Sequence, residues 1–164
     1  MRRTLTLALL LLAALAPAAG GATTRSIDIP KLFAKQLDRA GARTDVPVLL
    51  PSTMRSDFAR HFPGGRSGAD GWRFDIGAVR DCRRATACFV AEFRAVRGAR
   101  PGGGHRIDLP RGRSGRYHPL SCGASCSPAS IEWRERGALY SIQAKVAKRE
   151  LVRMASSAIR NGPR

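Results

Sequence analysis

Apolar residues follow three different rhythms along this chain, and each rhythm predicts a different kind of element. The first is continuous. Leu5 to Leu15 is apolar apart from Thr6, with Arg2 and Arg3 ahead of it and the small-residue stretch Ala16-Pro17-Ala18-Ala19-Gly20-Gly21-Ala22 behind it. A basic start, an apolar middle and a small-residue end form the secretory signal pattern. The apolar run has 11 residues, whereas a membrane span needs about 20. Residues 1–22 are therefore expected to be a signal peptide cut after Ala22, with Ala18 as the alternative site. Residues 23–164 then form a single exported domain. The very apolar run and the short leader before it favour ordinary Sec export over the twin-arginine route that the Arg pair suggests.

The second rhythm has a helical period. From Ile27 to Gly41, Ile29, Leu32, Phe33, Leu37 and Ala40 fall on one stripe, away from Lys31, Lys35 and Arg39. Asp28 is placed to cap this helix, Pro30 sits where a missing N–H costs nothing, and Gly41 can end it. From Lys148 to Ile159 the stripe is Leu151, Met154, Ala155, Ala158 and Ile159, with Gly162 as the stop. Between the helices, Val46 to Leu50 is fenced by Pro47 and Pro51 and predicts a short edge strand at most. Residues 51–71 are polar and glycine-rich and read as loop.

The third rhythm alternates. Trp72, Phe74 and Ile76 are separated by Arg73 and Asp75, and Phe89, Ala91, Phe93 and Ala95 by residues such as Glu92 and Arg94, which predicts a hairpin. If Cys82 lies directly opposite Cys88, the register sets Ile76 against Arg94 and puts the two aromatic rows on opposite faces. One extra residue in the first strand, at Gly77, repairs this: Ile76 then opposes Phe93, and Phe74 opposes Ala95. A bulge near Gly77 is predicted. Beyond it, 97–104 reads as a flexible connector, Arg106 to Leu109 as a strand, 111–115 as a basic turn and Arg116 to Leu120 as a short strand. Ile131 to Arg134 alternates cleanly, Glu135-Arg136-Gly137 suits a tight turn, and Leu139 to Lys145 returns as a strand. Helix, several antiparallel strands, helix: this is an α+β domain.

Within it, the apolar–Trp strand, glycine turn, Leu-Tyr-Ser strand and closing helix of residues 131–159 resemble the C-terminal unit of some uncharacterised exported bacterial proteins. Domains attached to anti-sigma factors and lipoprotein-carrier-like folds are among them. The resemblance covers about 30 residues and implies a curved antiparallel sheet with helices on one face. It carries over no functional residue.

Four cysteines remain after the leader, Cys82, Cys88, Cys122 and Cys126, and an even count in an exported domain reads as disulfides. Three connectivities are open. Pairing Cys82 with Cys88 and Cys122 with Cys126 is favoured because each pair brackets a turn-like segment. The short loops are worth about 2 kcal/mol each and the long-range alternatives about 4, so energetics does not decide. Neither spacing suits zinc or a thioredoxin-like redox site. No metal and no cofactor is indicated.

Charge changes the picture most. Without Arg2 and Arg3 the chain keeps 27 basic residues against 12 acidic ones, a net +15, and its only lysines are Lys31, Lys35, Lys145 and Lys148. Such a field gathers anions. Outside the cytoplasm these are phospholipid and glycolipid head groups, acidic polysaccharides and shed nucleic acid. The same excess also arises from an Arg-heavy composition with no dedicated ligand. The strongest binding candidate is the stretch from His105 to His118, where Arg106, Arg111, Arg113, Arg116 and Tyr117 surround a turn. Arg80, Arg83 and Arg84 would extend it if the two hairpins lie side by side. Single-stranded nucleic acid is disfavoured, because few aromatics look free to stack on bases.

Catalytic signatures are sparse. His61, His105 and His118 stand in loop-like contexts, and the last two would meet only across a hairpin. Gly-x-Ser-x-Gly, P-loop and dinucleotide fingerprints are missing. Glu132 and Glu135 read as salt-bridge partners of nearby arginines, and no residue is assigned a catalytic role. The reading that results is a non-catalytic exported domain, periplasmic or secreted, that binds an anionic envelope component or a protein partner. It is not expected to be an integral membrane protein. The alternatives are a small secreted hydrolase using a loop histidine and an extracytoplasmic nucleic-acid binder.

Overall fold

The computed structural model describes residues 24–82 and 85–164. The expected leader, 1–22, and Arg83 and Arg84 lie outside the described residues. The chain runs β1 (Arg25–Asp28), α1 (Ile29–Leu32), α2 (Ala34–Gly41), β2 (Thr53–Ser56), β3 (Phe62–Gly68), β4 (Gly71–Gly77) and β5 (Phe89–Arg97). It continues with β6 (His105–Leu109), β7 (Arg113–His118), β8 (Ser121–Cys122), β9 (Cys126–Ser127), β10 (Ser130–Glu135), β11 (Ala138–Ala144) and α3 (Lys148–Asn161). Seven strands form one antiparallel sheet in the order β3-β4-β5-β11-β10-β7-β6, and β1–β2 and β8–β9 are separate two-stranded ladders. This is the α+β architecture expected. The N-terminal helix is short, and the sheet is not clearly curved.

Alternation explains the layering. Trp72, Phe74 and Ile76 of β4, Ala91, Phe93 and Ala95 of β5, Tyr140 and Ile142 of β11, and Ile131 and Trp133 of β10 share one face and are buried. The helices cover that face. Phe33 is fully buried and stacks on Phe74 at 5.2 Å and edge-on to Phe93 at 5.9 Å. Leu151, Met154, Ala155, Ala158 and Ile159 bring α3 into the same core, and Trp133 stacks on Tyr140 at 5.4 Å. Each such large side chain contributes about 1.5–3 kcal/mol by leaving water.

Several expectations need correction. The predicted helix 27–41 begins as strand β1 and then breaks at Phe33 (φ −101°, ψ 17°) into α1 and α2; Asp28 does cap α1, accepting from the Lys31 N–H at 2.9 Å. Residues 46–50 form no strand, yet Val46, Val48, Leu49 and Leu50 are buried. The expected loop 51–71 holds two strands, β2 and β3. β3 (Phe-Pro-Gly-Gly-Arg-Ser-Gly) lacks strand-forming residues because it is an edge strand pressed close: a Cβ on Gly65 would stand 2.8 Å from Phe74 Cδ1 and 3.0 Å from the Arg73 carbonyl.

The bulge falls at Ile76/Gly77, but its extra residue is Val90, on the second strand. Ile76 opposes Ala91 and Phe74 opposes Phe93. The premise that Cys82 faces Cys88 in the ladder fails. Successive turns (Cys82 N–H to Val79 O, Ala85 N–H to Cys82 O, Cys88 N–H to Ala85 O) occupy the loop and displace Cys82 from the strand pair.

Both short-range disulfides, Cys82–Cys88 and Cys122–Cys126, are formed. They staple neighbouring loops: the Thr86 hydroxyl donates to the Cys126 carbonyl at 3.4 Å, and the Lys145 ammonium donates to the carbonyls of Thr86 and Ala87. The closing hairpin and helix match the sequence closely. Arg136 (φ 50°) and Gly137 (φ 77°) make the two-residue turn, and Gly162 (φ 75°) ends α3. Among the described residues no helix is long and apolar enough to cross a membrane. Together with the two disulfides, this is compatible with an extracytoplasmic location.

Candidate anion-binding face

Among the described residues the second face of the sheet carries no helix, and its polar side chains fall into transverse rows. Following the register from one edge to the other, one row reads Arg66 (β3), Arg73 (β4), Arg94 (β5), Ser141 (β11), Glu132 (β10), Arg116 (β7), Arg106 (β6). Five of seven positions are arginine. With about 4.8 Å between strands, the row spans about 29 Å. Arg66 faces Arg73, Arg73 faces Arg94, and Arg116 faces Arg106. Like charges directly opposite one another across a strand pair destabilise a sheet, so the arrangement has a cost that a bound anion would relieve.

The neighbouring row supplies partial compensation. Asp75 faces Glu92, which faces Gln143. Glu92 is buried and lies 3.4 Å from Arg73 Nε, holding that guanidinium against the sheet. A depression of about 390 Å³ adjoins the triplet, lined by Arg66, Arg73 and Arg94 together with Asp70, Gly71 and Val96. The connector 98–104 divides the face. The Gly98 N–H bonds to the Gly137 carbonyl, the Gly102 N–H reaches Glu132 Oε2 at 3.2 Å, and a Cβ on Gly104 would meet His118. Glu132 also lies 3.3 Å from His118 Nε2, so its carboxylate serves the connector rather than neighbouring arginines. Arg66, Arg73 and Arg94 stand on one side of the connector and Arg106 and Arg116 on the other, with Arg116 donating to the Gly104 carbonyl at 3.4 Å.

Strand alternation splits the residues singled out from the sequence. Arg106 and Arg116 come together on the helix-free face. Arg113 instead turns to the other face and pairs with Glu135 at 2.6 Å. Tyr117 lies on that face too, with Lys148 Nζ 4.9 Å above its ring. Arg111 sits in the turn at φ 60° and donates to the Arg160 carbonyl at 3.0 Å, tying the turn to the end of α3. Arg80, 5.6 Å over the Phe62 ring, belongs to the loop at the opposite end of the sheet from the 110–112 turn, so it does not extend a patch there. Arg66, Arg73 and Arg94 were missed as a group. Alternation alone takes Arg73 and Arg94 off the core face, but matching them needs the true register, and Arg66 needs β3.

The histidines do not converge. His105 opposes Tyr117, which puts it on the face away from His118. His61 Nε2 lies 3.0 Å from Ser56 Oγ, and its pKa is lowered first by burial and then by the Arg25 charge. A general base passes through its protonated form, and a nearby cation opposes that form, whereas hydrolytic triads place a carboxylate there. Ser56 Oγ also accepts the Phe58 N–H at 3.2 Å, as in a turn. A second depression, of about 640 Å³, lies beside this pair between β2 and α3 and is lined in part by Arg55, Arg149 and Arg153. Arg153 is occupied there by Glu150 at 2.6 Å and by the Thr53 carbonyl at 3.0 Å. Among the described residues no cluster of three or more His, Cys, Asp or Glu is placed to hold a metal ion. No protein-family model, curated protein or solved structure matches the chain.

Proposed function

We propose that the domain is exported on its 1–22 leader and works outside the cytoplasm as a non-catalytic binder of an extended acidic polymer of the cell envelope. The polymer lies across the strands on the helix-free face. One observation carries this reading: five arginines share a single transverse row, three of them on consecutive strands with no intervening acid. Planar guanidinium forks suit carboxylate, sulfate and phosphoryl groups. Trp72, Phe74, Phe93, Trp133 and Tyr140 are buried on the other face, and Phe62 of β3, on the arginine side by register, is half-buried with Arg80 5.6 Å over its ring, which leaves little stacking platform for bases. Val79 and Leu120, the exposed large apolar residues among those described, stand in end loops and not on the row. The contact is therefore polar, and the net +15 of the exported part speeds the encounter.

Titration with dextran sulfate over a salt series tests the proposal. Affinity should fall steeply with salt, and neutralising Arg66, Arg73 and Arg94 together to glutamine should lower the log–log slope by roughly two to three units if each contact contributes as phosphate contacts do. Equal affinity for a polycation, or a slope untouched by the triple substitution, refutes it.

A further inference from the structure

The two edges of the main sheet are built differently. β3 carries Pro63 and three glycines, a composition that discourages another strand from pairing with it. β6 (His-Arg-Ile-Asp-Leu) carries neither proline nor glycine, and its register with β7 is unbroken over all five residues. Among the described residues no strand pairs with its far side. His105, Arg106 and Asp108 are exposed and Ile107 is half-exposed. The strand has no proline and no bulge, and its two exposed charges, Arg106 and Asp108, are of opposite sign, so they oppose pairing with a strand of one charge but not with a complementary one.

We propose that β6 pairs antiparallel with β6 of a second copy about a two-fold axis at Ile107, joining two seven-stranded sheets into one. The sequence is self-complementary in this register. Arg106 faces the second copy's Asp108, and Asp108 faces the second copy's Arg106. Ile107 meets its own equivalent, and His105 lies opposite the second copy's Leu109. Moving the axis to Arg106 or to Asp108 would set like charges against each other, so charge selects the centre. An axis through a residue also keeps the faces matched. The two Arg–Asp pairs form on the helix-free face, while the two Ile107 side chains meet on the helix side, next to Leu109, which is already buried. The contact is isologous and closes at two copies. It goes beyond the polymer-binding reading, shares only Arg106 with it and needs no bound polymer.

Sedimentation equilibrium of the exported protein, disulfides closed and no polyanion present, tests the pairing. Moderate salt screens the repulsion between two strongly cationic copies. A concentration-dependent dimer is expected. Arg106→Asp places two carboxylates opposite each other in both pairs and should weaken association about tenfold or more; Asp108→Arg should do the same with two cations. Combining the two restores complementarity with the charges exchanged, and should restore the dimer. That double variant also controls for folding, since it contains both substitutions. A wild-type chain that stays monomeric throughout the micromolar range overturns the proposal. So does a dimer indifferent to the single substitutions, or a double variant that remains monomeric.

Discussion

Replacing Arg66 with glutamate should make the free protein more stable and a poorer binder. Arg66 is exposed on edge strand β3 and directly opposite Arg73. Two unit charges about 5 Å apart in water repel by about 0.8 kcal/mol, so reversing one sign gives a swing of about 1.6 kcal/mol at low ionic strength. Arg94, one strand farther at about 10 Å, adds to the swing, while Asp75, diagonal to Arg66 across the β3–β4 pair, subtracts somewhat more. About 1 kcal/mol remains. For a domain of this size that is a rise of about 3–4 °C in Tm at low salt, roughly halved at physiological salt, where the screening length is about 8 Å. Thermal melts followed by circular dichroism at both salt levels, run beside the dextran sulfate titration, provide the measurement. The expected signature is opposite signs: Tm up, affinity and salt slope down. A lower Tm at low salt refutes the like-charge argument, and an unchanged slope removes Arg66 from the binding row.

Three further outcomes follow from the same structure. Gly65→Val should cost about 1–3 kcal/mol in urea unfolding by overpacking, because its Cβ would enter the space of the buried Phe74 ring and the Arg73 carbonyl; an unchanged midpoint would mean that β3 stands off the sheet. Stability should fall on acidification in two stages. The Arg153 hydrogen bond holds the Glu150 carboxyl below its ordinary range, and burial followed by the Arg25 charge does the same to His61. A folded pKa below the unfolded one gives stability that is present above the unfolded value and lost as pH falls through the folded value. Glu150→Gln should therefore flatten the carboxylate part of the Tm–pH curve, and His61→Gln the part just below neutrality. Burial pushes the Tyr140 hydroxyl up to about 12 while it donates to the Pro47 carbonyl at 3.0 Å. Unfolded tyrosine ionises near pH 10, so this contribution is intact below about 10 and is lost as pH climbs toward the folded value. Tyr140→Phe should flatten that alkaline limb, and a limb of unchanged slope would show that Tyr140 does not govern it.

The parts of the fold that were legible are those where one local signal sufficed. The alternation of Ile131 and Trp133 with Glu132 and Arg134, the Arg136-Gly137 turn and the stripe on α3 each agree with the final structure because the segments are amphipathic in themselves. β3 was illegible for the opposite reason. Its glycines are there because Phe74, Asp75 and Gln36 approach its backbone, and those contacts are tertiary. The helix 27–41 was misjudged at Phe33, whose position between Phe74 and Phe93 is likewise a long-range matter. The disulfide pairing was readable from short spacings, but the register drawn from it was not, because a loop of successive turns absorbs the offset between Cys82 and Cys88.

The candidate face shows why charge counts are a poor guide to sites. Reading 105–118 as one basic stretch around a turn groups Arg106, Arg111, Arg113 and Arg116, but a strand sends successive side chains to opposite faces, and an odd step such as 113 to 116 separates its members. Arg113 is held by Glu135 and Arg111 by the end of α3, so two of the four brace the fold. Arg106 and Arg116 meet because antiparallel pairing sets even steps opposite each other across the turn. The same rule assembles Arg66, Arg73 and Arg94 from three different strands. Arginines that brace the fold have a carboxylate or carbonyl partner within hydrogen-bond reach. On the helix-free face the row is marked instead by members that face one another, although Arg73 also lies beside Glu92 and Arg116 donates to the Gly104 carbonyl. Setting like charges opposite one another costs the folded sheet stability, and the proposed anionic ligand would offset that cost.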